Sequence, residues 1–139
     1  MVDSGCIFCS IVRGEVPCYK VYEDGDVIAF LDIEPISEGH TLVVPKKHCS
    51  DIYDIPNDLL CKVMTAARKI AMGYRSSLGA KAVNLLNASG MEAGQTVFHF
   101  HVHVVPEYDY MKNRISFRHD ASAKSNIEKT QKRINGEVL

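Results

Sequence analysis

Three histidines in five residues, His99, His101 and His103, alternate through the run Thr96–Val105. That run is the strongest strand signal in the chain, rich in β-branched and aromatic residues. A strand turns successive side chains to opposite faces, so the three imidazoles share one face, about 6.6 Å apart per step of two residues. The other face carries Phe98, Phe100, Val102 and Val104 and reads as core. Three readings follow. The histidines form a polar face toward solvent, or they bind a metal, or they handle a phosphate. In the last case a neutral imidazole is the nucleophile and another donates to phosphate oxygens. One metal held by all three is awkward, because His99 and His103 would lie about 13 Å apart along the strand while ligand bonds are about 2.1 Å.

A second set of reactive side chains is the pair Cys6-x-x-Cys9. Alone it fits half a zinc site, a redox pair or two separate thiols. Five cysteines is an odd number, and their spacing does not suggest a disulfide scaffold. A reducing, cytoplasmic setting with free or metal-bound thiols is expected. No secretory signal is expected from residues 1–20. No run of apolar residues is long enough to span a bilayer, so no membrane partner is expected. A net charge of −1 gives no basic footprint for nucleic acid.

These residues need elements to hold them. Ile7–Val12 reads as a short helix or turn ending at Gly14. Tyr19–Glu23 and Val27–Asp32 read as a hairpin around Asp24-Gly25. Thr41–Pro45 is a short apolar strand. A long helix is expected from Asn57, as cap, to Leu78, stopping at Gly79. Its apolar face is Leu60, Val63, Met64, Ala67, Ile70, Ala71, Tyr74 and Leu78. Lys81–Asn87 is a further strand, and Ala88–Gly94 a loop. The polar stretch Tyr108–Leu139 is irregular with a short final helix. The 139 residues, 46% of them hydrophobic, suit one domain. The expected class is α+β: about five strands in a mainly antiparallel sheet, one long helix and a short N-terminal helix. Residues 1–107 form the core and 108–139 an extension of the same domain.

The segment Gly94-Gln95-Thr96-Val97-Phe98-His99-Phe100-His101-Val102-His103-Val104-Val105-Pro106 resembles the signature of the histidine triad (HIT) family. Upstream, Cys6-Ile7-Phe8-Cys9, Ala29-Phe30-Leu31-Asp32-Ile33, Gly39-His40-Thr41-Leu42-Val43-Val44-Pro45-Lys46 and His48 fall in the family's order. The resemblance spans roughly residues 6–106.

It implies a HIT fold and an enzyme that attacks the α-phosphate of a purine nucleotide derivative. His101 would be the nucleophile, forming a transient nucleotidyl-histidine that water then breaks. Its other nitrogen would be pinned by the backbone carbonyl of His99. His103 would donate to the phosphate, and His40 would support the triad. Thr96 would assist a leaving amine, with Gln95 and Asn87 on the phosphate side. Asp32 would hold the ribose hydroxyls, and Phe8, Phe30 and Ile33 would line the base pocket. Zinc-containing members imply a structural Zn²⁺ on Cys6, Cys9, His48 and His99, with Cys49 a substitute for His48. No Mg²⁺ requirement is expected, and a homodimer is.

The leading activity is an adenosine phosphoramidase-like hydrolase. Hydrolysis of dinucleoside polyphosphates is the alternative, although that branch usually has Gln where Ala88 stands. The absence of Trp also differs from animal phosphoramidases, which close the site with one. A third reading is a nucleotide-binding regulatory protein.

Overall fold

The hairpin at Asp24 shows how local chemistry starts the sheet. Asp24 Oδ1 accepts the backbone N–H groups of Asp26 and Val27, each at 2.8 Å. This side-chain-built turn joins β1 (Lys20–Glu23) to β2 (Val27–Leu31). The structure is a computed structural model describing residues 5–110 and 115–137. Before the hairpin comes α1 (Ile7–Val12), and after it β3 (Thr41–Pro45), α2 (Asn57–Ser77), β4 (Ala82–Leu86) and β5 (Val102–Glu107). A 3-10 turn, Met91–Ala93, lies between β4 and β5.

The five strands pair antiparallel in the order β1-β2-β3-β5-β4. The fold is therefore α+β, as expected. α2 covers one face, packing on Val27, Ala29, Val43, Val102 and Val104. The other face carries Ile28, Phe30, Leu42 and Val44, covered by Phe8 with Cys6, Ile11, Val12, Cys18 and Val97. Two buried faces explain why β2 and β3 read as continuous apolar runs. The N-terminal segment thus becomes a wall of the second face.

Four expectations change. The histidine strand begins only at Val102, and residues 96–101 are irregular. β3 pairs no further back than Val102 and β4 no further than His103. The upstream residues are tied to loops instead: Phe100 N–H donates to Cys49 O at 2.6 Å and Gln95 Nε2 to Ser50 O at 2.7 Å. Released from the strand, Phe98 leaves the core and is 50% exposed. The α2 N-cap is Pro56, and Asn57 is already helical. The buried stripe of α2 is Leu59, Val63, Ala66, Ala67 and Ile70, so it is rotated from the expected one and Met64 faces outward. Finally, among its described residues the C-terminal stretch holds two helices, α3 (Ala121–Ser125) and α4 (Ile127–Glu137).

Candidate functional site

His101 stands at the junction of the irregular segment and β5. Its Nδ1–H donates to the carbonyl oxygen of His99 at 2.7 Å, which leaves Nε2 with the lone pair. The ring lies edge-on to Phe8, with centroids 5.2 Å apart. Burial lowers its pKa, opposed by the His99 hydrogen bond and by Asp32. His101 is therefore a neutral imidazole with a directed lone pair.

His103 is next along the same face, with ring centroids 5.0 Å from those of His101. Behind it lies His40, 3% exposed. His40 Nδ1 accepts the backbone N–H of Ile36 at 3.0 Å, and its Nε2 lies 2.9 Å from His103 Nδ1. A peptide N–H only donates. The His40 proton is thus on Nε2, where it donates to His103 Nδ1. By the same logic His103 keeps its proton on Nε2. Burial, then the neighbouring His101 and His40, push the His103 pKa down to about 4. Burial also lowers that of His40. The chain Ile36, His40, His103 ends in a neutral N–H donor beside a neutral nucleophile.

Asp32, His40 and His103 also have ligand atoms within 4.8 Å of one another. They do not make a metal centre, because His40 Nε2 carries the proton its Nδ1 partner forces on it. Asp32 Oδ2 is 3.7 Å from His40 Nε2, and Oδ1 accepts Glu34 N–H at 2.9 Å.

A cavity of about 630 Å³ opens over these groups, lined by Phe8, Phe30, Asp32, Ile33, Thr96, His101 and His103 among others. Its size suits a nucleotide-sized ligand. Phe8 and Phe30 meet edge to face at 5.5 Å, whereas Ile33 is 83% exposed at the rim. Ile7, Ile11, Pro17, Cys18, Leu42 and Val97 line it too. Sequence reasoning missed these, although the i, i+4 pair Ile7 and Ile11 on α1 was a legible apolar face.

Gln95 and Asn87 do not line the cavity. Gln95 Nε2 donates to Ser50 O at 2.7 Å and Val97 O at 3.1 Å, and Oε1 accepts Gly90 N–H at 2.8 Å. Asn87 Nδ2 donates to His101 O at 2.9 Å. Both brace the segment that carries His101.

On the far side of His99, four potential ligands converge. His99 Nδ1 is 3.3 Å from Cys6 Sγ, 3.5 Å from Cys9 Sγ and 3.2 Å from His48 Nδ1. Cys9 Sγ is 3.4 Å from His48 Nδ1. A tetrahedral zinc with bonds of about 2.0–2.3 Å needs ligand separations of roughly 3.3–3.8 Å, and the cluster fits. His99 Nε2 lies 2.7 Å from Pro45 O and donates to it, so its Nδ1 lone pair is turned to the sulfurs. That is the outer-shell hydrogen bond expected of a metal-bound imidazole. Cys49 is instead buried in the α2 core.

An antiparallel sheet with one long helix, a histidine face and a Cys/His cluster defines a HIT-type domain. The HIT domain model matches residues 13–110. "Protein hit" of Bacillus subtilis is 46% identical over 103 residues, covering 74% of this chain and 71% of that protein. A Zn-bound histidine triad family protein from Mycobacterium smegmatis aligns with TM-score 0.76 and 36% identity, over 90% of this chain and 96% of that one. Histidine triad nucleotide-binding protein from Candida albicans aligns with TM-score 0.80 and 29% identity, over 96% of each. The chain belongs to the HIT family.

Proposed function

We propose that this protein is a nucleotide hydrolase of the phosphoramidase type, cleaving a purine nucleoside monophosphate from an amine at the α-phosphorus. The observation that carries it is the pairing of a bare, directed His101 Nε2 with a neutral His103 N–H over a nucleotide-sized cavity. Nucleotide binding by the Candida relative supports it.

In the first step His101 Nε2 bonds to phosphorus and the P–N bond to the amine breaks. The amine leaves with a proton relayed from solvent through the Thr96 hydroxyl. His103 Nε2–H hydrogen-bonds the developing charge on the phosphoryl oxygens. Water then attacks phosphorus, the His101–P bond breaks, and the nucleoside monophosphate and one proton are released. Asp32 accepts hydrogen bonds from the ribose hydroxyls, and the edge-to-face pair Phe8 and Phe30 lines one wall of the base pocket with Ile33 at the rim. Asn87 and Gln95 contribute by holding the His101 segment.

Cys6, Cys9, His48 and His99 would hold a Zn²⁺. With four protein ligands it would be closed to substrate and structural, tying α1 to the catalytic segment. An apolar groove between α2 and edge strand β4, with Met64, Ala71, Met72, Val83 and Leu85, supports a homodimer. Residues 108–139 extend this single domain. We place the protein in the cytoplasm, where its thiols stay reduced. Among the described residues no helix is long and apolar enough to cross a membrane.

The test compares turnover of an adenosine phosphoramidate with that of diadenosine polyphosphates, using His101→Ala as control. Preference for the phosphoramidate, lost in the variant, is expected. Preference for the polyphosphate would transfer the protein to the other branch, and AMP binding without turnover of either would make it a binding protein.

A further inference from the structure

Residues 32–40 join β2 to β3, with Asp32 at one end and His40 at the other. Backbone bonds close the turn: Asp32 N–H to His40 O at 2.9 Å and His40 N–H to Ser37 O at 3.0 Å. Gly39 takes φ +86°, and a Cβ there would meet Leu78 Cδ1 at 2.6 Å. Two side chains then fasten the turn from outside. Ser37, 6% exposed, donates its hydroxyl to Pro106 O at 2.6 Å. Tyr108 OH donates to Glu38 O at 2.7 Å. Pro106 lies on β5, the strand that carries His103. The Ser37 bond therefore fixes the turn relative to His103 itself, and not merely to its own neighbours.

The group that this placement presents is the Ile36 N–H, 3.0 Å from His40 Nδ1. It forbids a proton on that nitrogen. If the amide moved away, His40 could carry its proton on Nδ1 and leave Nε2 bare. His103 would then hold its proton on Nδ1, donating back to His40 Nε2, and its own Nε2 would be a lone pair. One proton shift on His40 thus turns His103 from a phosphate donor into a group that repels phosphate oxygens.

We propose that Ser37 is a positioning residue: by bonding Pro106 it holds the Ile36 amide against His40 and keeps the His103 proton on Nε2. The functional consequence rests on the reading of His103 as phosphate donor given above. The tautomer itself does not.

The experiment uses full-length Ser37→Ala, Ser37→Thr, which keeps the hydroxyl, and Tyr108→Phe, which loosens the same turn independently. Long-range nitrogen-15 NMR of the ligand-free proteins reads which ring nitrogens of His40 and His103 carry hydrogen. The wild type should show Nε2–H on both, and Ser37→Ala a mixed population. Its kcat should fall in proportion to the Nε2–H form lost, roughly 5-fold where that form drops to about a fifth, with KM changed less than about twofold. Ser37→Thr should restore both readouts. On a His40→Ala background, Ser37→Ala should remove no further activity, since residues acting through one another are non-additive. If Ser37→Ala does not fold, Tyr108→Phe carries the same NMR test. Unchanged His103 nitrogen shifts in every folded variant, or an additive loss on the His40→Ala background, would overturn the proposal. If the wild type turns over no nucleotide, the hydrolase reading fails while the NMR still decides the clamp.

Discussion

The carbonyl oxygen of His99 accepts the Nδ1–H of His101 at 2.7 Å, while the ring of the same His99 lies 3.3 Å from Cys6 Sγ. One residue thus couples the Cys/His cluster to the nucleophile. Loss of a zinc bound there would leave the His99 ring without its Nδ1 anchor, though still bonded to Pro45 O, and loosen the acceptor that orients His101. Chelation, or Cys6→Ser or Cys9→Ser, should lower zinc content, lower Tm and reduce kcat about 10–100-fold, the usual scale for disturbing the surroundings of a bound metal. Metal analysis beside thermal melts checks this, and full zinc content in both variants would rule out the ligand set.

Removal of the nucleophile has a sharper outcome. On the proposed mechanism His101→Ala removes the side chain that forms the covalent intermediate, so turnover should fall by at least roughly a thousandfold. Nucleotide affinity, measured by calorimetry, should change far less, because Asp32, Phe8 and Phe30 remain. Wild-type kcat in this variant would sink the proposed mechanism.

Much of this arrangement was legible in the sequence because it rests on local periodicity. The spacing that brings the His101 and His103 rings within 5.0 Å of each other, the Asp24-Gly25 hairpin and the stop at Gly79 are all short-range. What was not legible is non-local. Residues 96–101 read as strand, yet the Phe100 N–H goes to Cys49 O, and Gln95 just before them reaches Ser50 O. Gln95 and Asn87 have the right chemistry for phosphate, but tertiary bonds take up the Gln95 amide and aim Asn87 at a backbone carbonyl. The helix α2 has two apolar sides, one for the core and one for the groove, and a single-stripe reading merges them.

That second side carries its own prediction. Met64 is 39%, Met72 56%, Val83 40% and Leu85 39% exposed, and among the described residues β4 has β5 as its one sheet neighbour. A second copy would cover the groove about a two-fold axis. Met72→Glu or Leu85→Glu places a charge in that interface and should shift the protein from dimer to monomer in sedimentation velocity. A wild type that sediments as a monomer at micromolar concentration would end the dimer reading.

The pH dependence of stability follows from His103. Its pKa is near 6.5 in the unfolded chain and about 4 in the fold, chiefly through burial. Burial lowers that of His40 as well. Below pH 6.5 the unfolded chain therefore binds protons that the folded one refuses, so folding stability falls with falling pH. Above about pH 7 both states are neutral at these rings and the contribution is constant. The contribution of these rings to Tm should be flat above pH 7 and decline between about 6.5 and 4, where His103 finally takes up its proton and gives up the bond from His40. His103→Gln should make this decline shallower. NMR titration gives the direct check: the His103 ring signals should hold steady down to about pH 5, and a midpoint near 6.5 would show that the ring is not protected by the relay.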